Sequence, residues 1–108
     1  MTPPPRVTLA IPLYNAEPYL AATLHSLLAQ TYRDFELLIF DDASNDRSAV
    51  IAAEFRDPRL RLLGASERVG AERNWNRCLE SARGRYIKVV CDDDLLAPDC
   101  LERQVAVL

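Results

Sequence analysis

The sequence predicts a three-layer α/β fold: a parallel sheet of four strands, ordered 3-2-1-4, with helices on both faces. Three observations predict it. Apolar runs of strand length alternate strictly with stretches of helical periodicity along the whole chain. The runs are short and rich in Leu or β-branched residues, as parallel strands covered on both faces should be. Polar motifs follow the first, second and fourth runs, and right-handed crossovers bring such strand ends to one edge of the sheet.

Residues 1–6, with Pro3, Pro4 and Pro5, form a disordered or extended lead-in, and the domain proper covers 7–108. The first strand spans 7–11. Pro12 lacks a donor N–H, so the ladder should stop there and the chain turn. Asn15 is placed to cap a helix over 17–30, whose stripe is Leu20, Leu24, Leu27 and Leu28. The second strand spans 36–40. Ser44 can cap the next helix, where Val50, Ile51 and Phe55 supply the apolar face before Asp57 and Pro58 stop it. The third strand spans 60–63. A helix follows Gly70, with Trp75, Cys78, Leu79 and Ala82 turned inward and Gly84 just past its end. The fourth strand spans 86–90, and Lys88 within it requires a sheet edge or a snorkelling stem. The last helix starts at Pro98, with Asp99 and Glu102 at the positive end of its dipole. It runs into Val105, Ala106, Val107 and Leu108 with no Gly, Asn or basic C-cap, the pattern of a fold that continues beyond Leu108.

Composition excludes several function classes. With 108 residues the chain makes one domain at most, able to bury roughly 65% of its unfolded surface. A hydrophobic content of 49% and a charged content of 27% are those of an ordinary globular protein. A net charge of −3, with the arginines scattered, offers no broad field for nucleic acid or an anionic membrane. No apolar stretch approaches the ~20 residues of a membrane-spanning helix. Cys78, Cys91 and Cys100 are odd in number and lack CxxC spacing, so they read as reduced thiols. A cytoplasmic protein is expected, with peripheral contact to the inner face of a membrane left open.

The chemistry concentrates in Asp92, Asp93 and Asp94, at the end of the fourth apolar run. Two carboxylates ~4 Å apart repel by about 1 kcal/mol in water and about 4 kcal/mol at an effective dielectric of 20. Three of them in a cleft favour a hard cation such as Mg²⁺, Mn²⁺ or Ca²⁺. A solvated acidic turn that caps the next helix is the competing reading. The other strand ends weigh against it. After the first strand come Pro12, Tyr14 and Asn15, and Tyr14 offers an aromatic face. After the second come Asp41, Asp42, Ser44 and Asp46, where Asp41 and Asp46 are best read as turn and cap residues. Asp42 can accept a hydrogen bond from a base N–H or a ribose hydroxyl. An aromatic, an acceptor and a metal-binding group together suit a nucleoside diphosphate. Arg73, in the first turn after Gly70, could reach the base or the diphosphate.

These motifs, in order, resemble those of a family-2 glycosyltransferase. The matching segments are Ile11 to Asn15, Gln30 to Leu37, Asp41 to Ser44, Gly84 to Ile87, and Asp92 to Asp94 with Pro98 and Asp99. The resemblance covers the chain from Val7 onward. It implies the N-terminal, Rossmann-like half of a glycosyltransferase-A fold, which binds a nucleoside-diphosphate sugar with Mg²⁺ or Mn²⁺. It implies that Pro12 and Tyr14 lie against the nucleoside, Asp42 at the base, Asp92 near the ribose or diphosphate, and Asp93 on the metal. The family's D-x-D pattern can be laid on Cys91 to Asp94 in two ways. Counted back from Pro98 it falls on Cys91 and Asp93; read directly it falls on Asp92 and Asp94. Asp93 is preferred, with Asp94 the second candidate. The family's acceptor-binding half, with the base for an inverting displacement, would follow Leu108, so no catalytic residue is assigned here. The acceptor is an unspecified saccharide or lipid-linked saccharide. An unpaired sheet edge leaves self-association possible. Two further classes stay open: a nucleotide-binding module without catalysis, and a Mg²⁺-dependent phosphoryl-transfer domain. The latter wants an acid after the first strand, where this chain has Pro12, Leu13, Tyr14 and Asn15.

Overall fold

The computed structural model describes residues 3–108. The elements run β1 (Val7–Leu13), α1 (Glu17–Leu28), β2 (Phe35–Asp41), α2 (Ser48–Glu54), β3 (Leu60–Gly64), α3 (Ala71–Ser81), β4 (Tyr86–Val89) and α4 (Cys100–Val105). The four strands form one parallel sheet in the order β3-β2-β1-β4. Within the expected lead-in, Pro3, Pro4 and Pro5 have no regular structure, while Met1 and Thr2 lie outside the described residues.

Strand alternation sorts the sheet into two faces. Val7, Leu9, Ile11 and Leu13 of β1 join Phe35, Leu37 and Ile39 of β2 on one face. Against them pack Leu20, Leu24 and Leu27 of α1, Ala52 of α2, and Leu101 and Val105 of α4. Burying each such side chain contributes about 1.5–3 kcal/mol, so this layer carries most of the hydrophobic stabilisation. The opposite face is covered by α3, which rests on β1 and β2.

Several local expectations are corrected by the structure. First, β1 continues through Pro12 to Leu13, with Pro12 opposite Phe40. The Ala10 carbonyl faces β4 and accepts from the Val90 N–H, so Pro12, two residues on, faces the same side. There β4 has already ended, and a missing N–H breaks no ladder bond. Second, α1 begins after Ala16 rather than Asn15, and α2 after Arg47 rather than Ser44. Asp46 serves both starts, accepting from the Glu17 N–H (3.1 Å) and the Ser48 N–H (2.9 Å). Third, α3 turns Asn74 and Cys78 inward, and leaves Trp75 and Leu79 44% and 40% exposed. The Asn74 amide donates to the Phe40 carbonyl (2.9 Å), near the end of β2, and that bond fixes the helix rotation. Fourth, Gly84 does not cap α3, which ends at Ser81. It lies against β1, where a Cβ would stand 2.5 Å from the Thr8 nitrogen and 2.6 Å from the Val7 carbonyl carbon. Close backbone approach, not left-handed freedom, requires glycine here. Fifth, α4 starts at Cys100, two residues after Pro98, whose carbonyl accepts from the Thr31 N–H.

On α2, Ile51 and Phe55 pack against the core as expected, but Val50 is 47% exposed. Lys88 lies on β4, an edge strand, as the sequence requires. All three cysteines are free, and burial pushes the Cys78 thiol up to about 11, which keeps it protonated and inert.

Candidate nucleotide-sugar site

Parallel register brings the C-terminal ends of β1, β2 and β4 to one sheet edge, and the loops that leave them are stitched together there. Asn15 has φ 48°, a left-handed value that Asn tolerates. Its side chain is committed to Asn45: its Nδ2 donates to the side-chain Oδ1 of Asn45 (2.9 Å) and its own Oδ1 accepts from the backbone N–H of Asn45 (2.9 Å). The Asn15 N–H donates to Ser44 Oγ (3.0 Å), and that hydroxyl donates to Asp41 (2.6 Å). Asp41 and Asp46 therefore form turns and caps, as expected, and Asn15 is a brace between loops.

Asp42 is 1% exposed. Its Oδ1 accepts from the Val69 N–H (2.7 Å) and its Oδ2 from the Gly70 N–H (3.0 Å). The carboxylate thereby holds the loop of residues 65–70 against the end of β2. Gly70 has φ 98°, which only glycine adopts without strain, and this turn presents both N–H groups to one carboxylate. Arg68 reaches back from the same loop. Its guanidinium carbon stands 3.8 Å above the centre of the Tyr14 ring, and its Nε is 3.6 Å from Asp42 Oδ2. Among the described residues, the arginine that joins Tyr14 to Asp42 is Arg68. Arg73 is exposed in the first turn of α3.

The acidic triplet divides by orientation. Asp92 turns inward, where its Oδ2 accepts from the Tyr14 N–H (3.1 Å) and ties the end of β4 to the end of β1. Burial pushes its carboxyl above the ordinary range, the Tyr14 bond opposes that, and the Asp93 and Asp94 charges add to it. Asp93 and Asp94 are exposed. The segment that carries them is fastened to the polar flank of α1. Thr23 Oγ1 donates to the Asp92 carbonyl (3.3 Å), the Leu96 N–H donates to Ser26 Oγ (3.3 Å), and Gln30 donates to the Ala97 carbonyl (2.7 Å). Gln30 is 1% exposed and also accepts from the Leu101 N–H (2.9 Å). Thr23 and Ser26 of α1, Gln30 just past its end, and Arg68 are not singled out by the sequence analysis. A Thr, a Ser and a Gln at helical spacing beside a Leu stripe are the signal that could have found the first three.

Among the described residues no group of three or more His, Cys, Asp or Glu side chains gathers as a metal cage. The donor set instead offers the two exposed carboxylates of Asp93 and Asp94. Mg²⁺ and its relatives are held by one or two carboxylates together with substrate phosphates and waters. The acids therefore fit a cation that arrives with a diphosphate better than a resident one.

A cavity of about 740 Å³ lies at the opposite sheet edge, between Pro3, Pro5, Arg33, Glu36, Arg59 and Arg83. Two of its arginines are held in ion pairs: Arg61 with Glu36 at 2.9 Å and Arg59 with the neighbouring Asp57 at 3.0 Å. The chemistry-bearing groups lie at the C-terminal edge. A hollow of about 380 Å³ borders the loop that Asp42 holds, lined by Phe40, Gly64, Ser66, Glu67, Val69 and Arg77.

The sequence pattern of Glycosyl transferase family 2 matches residues 8–108. The chain belongs to that family. This family-2 chain is 37% identical over 102 residues to the Escherichia coli UDP-Glc:alpha-D-GlcNAc-diphosphoundecaprenol beta-1,3-glucosyltransferase WfgD, covering 94% of this chain and 40% of the relative. It superimposes on S. aureus TarS 1-349 in complex with UDP-GlcNAc with a TM-score of 0.88 at 27% identity, over 94% of this chain and 30% of that one. On the mannosyltransferase PcManGT from Pyrobaculum calidifontis, in complex with GDP-Man and Mn²⁺, the TM-score is 0.84 at 31% identity, over 96% and 32% of the two chains. The chain spans well under half the length of the relatives it matches. The sheet order, the helices and the family agree with a glycosyltransferase-A fold, as the resemblance implied. Among the described residues no helix is long and apolar enough to cross a membrane.

Proposed function

We propose that this chain is the donor-binding half of a glycosyltransferase that moves a sugar from a nucleoside diphosphate to an acceptor hydroxyl with inversion. The observation that carries the reading is the convergence of Tyr14, Asp42 and the Asp92–Asp94 acids at one sheet edge of a family-2 fold. Tyr14 supplies a face for the base, with Pro12 beneath the same strand end. Asp42, already fixed by two N–H groups, keeps lone pairs for a base N–H or a ribose hydroxyl. Asp92 holds the strand ends in register below the ribose and diphosphate. Asp93, with Asp94 as its neighbour, would hold Mg²⁺ or Mn²⁺ against the diphosphate, and the ion would offset the charge that develops on the leaving group. Arg73 is a further candidate for the diphosphate. Neighbours solved with UDP-GlcNAc, and with GDP-Man and Mn²⁺, support this ligand class.

The acceptor would be a saccharide or a lipid-linked saccharide. WfgD, whose name specifies a diphosphoundecaprenol acceptor, supports the lipid-linked alternative. Proton removal from an acceptor typically contributes about 10²–10⁴-fold, and that base is not assigned to any residue of 1–108.

Calorimetry with UDP, GDP and dTDP, with and without Mg²⁺ or Mn²⁺, tests the donor site. Asp42→Asn should weaken nucleotide binding with or without metal. Losing a hydrogen bond to a charged acceptor costs ~1.5–3 kcal/mol, roughly 10- to 150-fold in affinity. Asp93→Ala should remove only the metal-dependent part. Unchanged affinity in Asp42→Asn removes Asp42 from the site. No transfer of a radiolabelled sugar by the full-length protein would leave a plain nucleotide-binding module.

A further inference from the structure

We propose that Arg68 is a displaceable gate over the nucleoside platform, occupying in the free protein the place a base takes in the complex. The inference rests on the donor-site reading above and adds the residue that sets when the site is open.

The geometry is specific. A guanidinium is planar, carries N–H donors along its edge and stacks on aromatic faces. A nucleobase has the same three properties. Arg68 lies 3.8 Å above the Tyr14 ring centre while its Nε points at Asp42 Oδ2 from 3.6 Å. It thus uses both surfaces that the base would use, the aromatic face and the free lone pairs of the buried acceptor. A base and this guanidinium cannot share them.

The gate is the side chain alone. The loop backbone is held by Asp42 through Val69 and Gly70, next to Arg68, and Asp42 is itself anchored by its N–H to the Leu13 carbonyl (2.9 Å). The Arg68 side chain, by contrast, is 52% exposed, and its distance to Asp42 exceeds that of a good charged hydrogen bond. Bond rotation moves the guanidinium into water while the carboxylate and the loop stay fixed. Released, the guanidinium is free to meet the phosphates of a bound nucleotide.

Occupation of the platform lowers apparent affinity in proportion to the time the site is closed. An exposed cation–π contact reinforced by a loose ion pair closes it only partly, so Arg68→Ala should tighten nucleoside binding by about two- to tenfold. The probes are uridine, guanosine and thymidine without metal, because they carry no phosphate for the freed guanidinium to grip. The intact protein is titrated calorimetrically, and the Arg68 Hε resonance is followed by NMR in parallel. In the free protein that proton should carry an upfield ring-current shift, absent in Tyr14→Leu, and saturation with the bound nucleoside should abolish it. Unchanged or weaker nucleoside binding in Arg68→Ala overturns the gate, as does a ring-current shift that persists at saturation. A shifted Hε in a protein that binds none of the three nucleosides, before or after the substitution, overturns the nucleotide reading of the site instead. The two failures are therefore told apart by the same experiment.

Discussion

β2 has a buried carboxylate near each end, Glu36 within the strand and Asp42 just past it, and the two are treated differently. At the N-terminal end, Glu36 accepts from Thr8 Oγ1 (2.6 Å), the Arg83 N–H (2.6 Å) and Arg61 Nε (2.9 Å). Arg61 in turn donates to the Ser81 carbonyl (2.7 Å), and the Gly84 N–H donates to Thr8 Oγ1 (2.9 Å). Every group in that cluster has a protein partner in good geometry, and both charged side chains are at least three-quarters covered. At the C-terminal end, Asp42 is buried more completely, yet among the described residues its charged partner is a half-exposed arginine at 3.6 Å. A closed network stabilises a fold; a buried acceptor with a removable partner can change partners. The first lies in the layer between β1, β2 and α3, and the second in the candidate site.

Breaking the closed end should have the largest effect. Glu36→Ala strands Arg61, Thr8 and the Arg83 N–H together, and removing one member of a buried ion pair costs about 3–5 kcal/mol. Because Arg61 keeps some access to water, the lower part of that range is expected. Denaturant unfolding measures it, and a loss below 1 kcal/mol would show that the cluster is no more than a surface ion pair. Nucleoside affinity of the folded fraction should be unchanged.

Gly84→Ala attacks the same cluster without removing a polar group. The added methyl meets the backbone of Val7 and Thr8 and the Thr8 hydroxyl at 2.8 Å, and backbone cannot step aside as a flexible side-chain end can. Overpacking of this kind costs about 1–3 kcal/mol, and the upper end is expected. A normal midpoint in the substituted protein would mean that the segment between α3 and β4 lifts freely from β1.

pH sharpens the contrast further. Burial alone would raise the Glu36 carboxyl, but the Thr8, Arg83 and Arg61 hydrogen bonds and the Arg61 charge outweigh it and hold the group below its ordinary 4.5. The unfolded chain then binds the Glu36 proton at a pH where the folded chain does not. This contribution is present above the unfolded value and is lost as pH falls through the folded one. Asp57, held down first by its hydrogen bond from Arg59, acts in the same direction, while Asp92, raised by burial, acts in the opposite one. Comparing the acid limb of the stability profile in the intact protein and in Glu36→Gln isolates Glu36. The variant should show the shallower decline below the ordinary Glu range; equal slopes would mean that Glu36 is as easily protonated folded as unfolded.

The two ends also differ in how far their sequence discloses them. Alternation of apolar runs with helical stripes, together with the polar motifs that follow the first, second and fourth strands, is enough for the sheet order, and that order places Lys88 on an edge strand. Tyr14, Asp42 and the acids of the fourth strand end were legible as residue types at strand ends. Their orientations were not. Asp92 looks inward and Asp93 outward because one Tyr14 N–H needs an acceptor, a fact of three-dimensional proximity over 78 positions of sequence. The facing of α3 was misread for a similar reason: hydrophobicity favours Trp75 inward, but the Phe40 carbonyl needs the Asn74 amide. Arg68 was invisible among twelve scattered arginines, since its meaning comes entirely from where Asp42 pins its loop.

The smallest expected effect probes the backbone next to Asp42. Ala43 has φ 54°, in the left-handed region where an L-residue costs roughly 1–2 kcal/mol. Glycine relieves that strain, but its extra freedom in the unfolded chain costs about 0.5–1 kcal/mol. Ala43→Gly should therefore stabilise the fold by no more than about 1 kcal/mol, read as a small rise in the denaturation midpoint. The same substitution asks whether strain positions the acceptor. Asp42 is held independently, by its N–H to Leu13 and by Val69 and Gly70 on its carboxylate, and Ser44 beyond it is fixed to Asp41. Nucleoside affinity should accordingly stay within about twofold, which corresponds to under half a kcal/mol. A larger loss would mean that the left-handed turn at Ala43, rather than the loop that Asp42 grips, aims the carboxylate at the Tyr14 platform. The contrast between the two ends of β2 would then lie in the backbone rather than in the choice of partners.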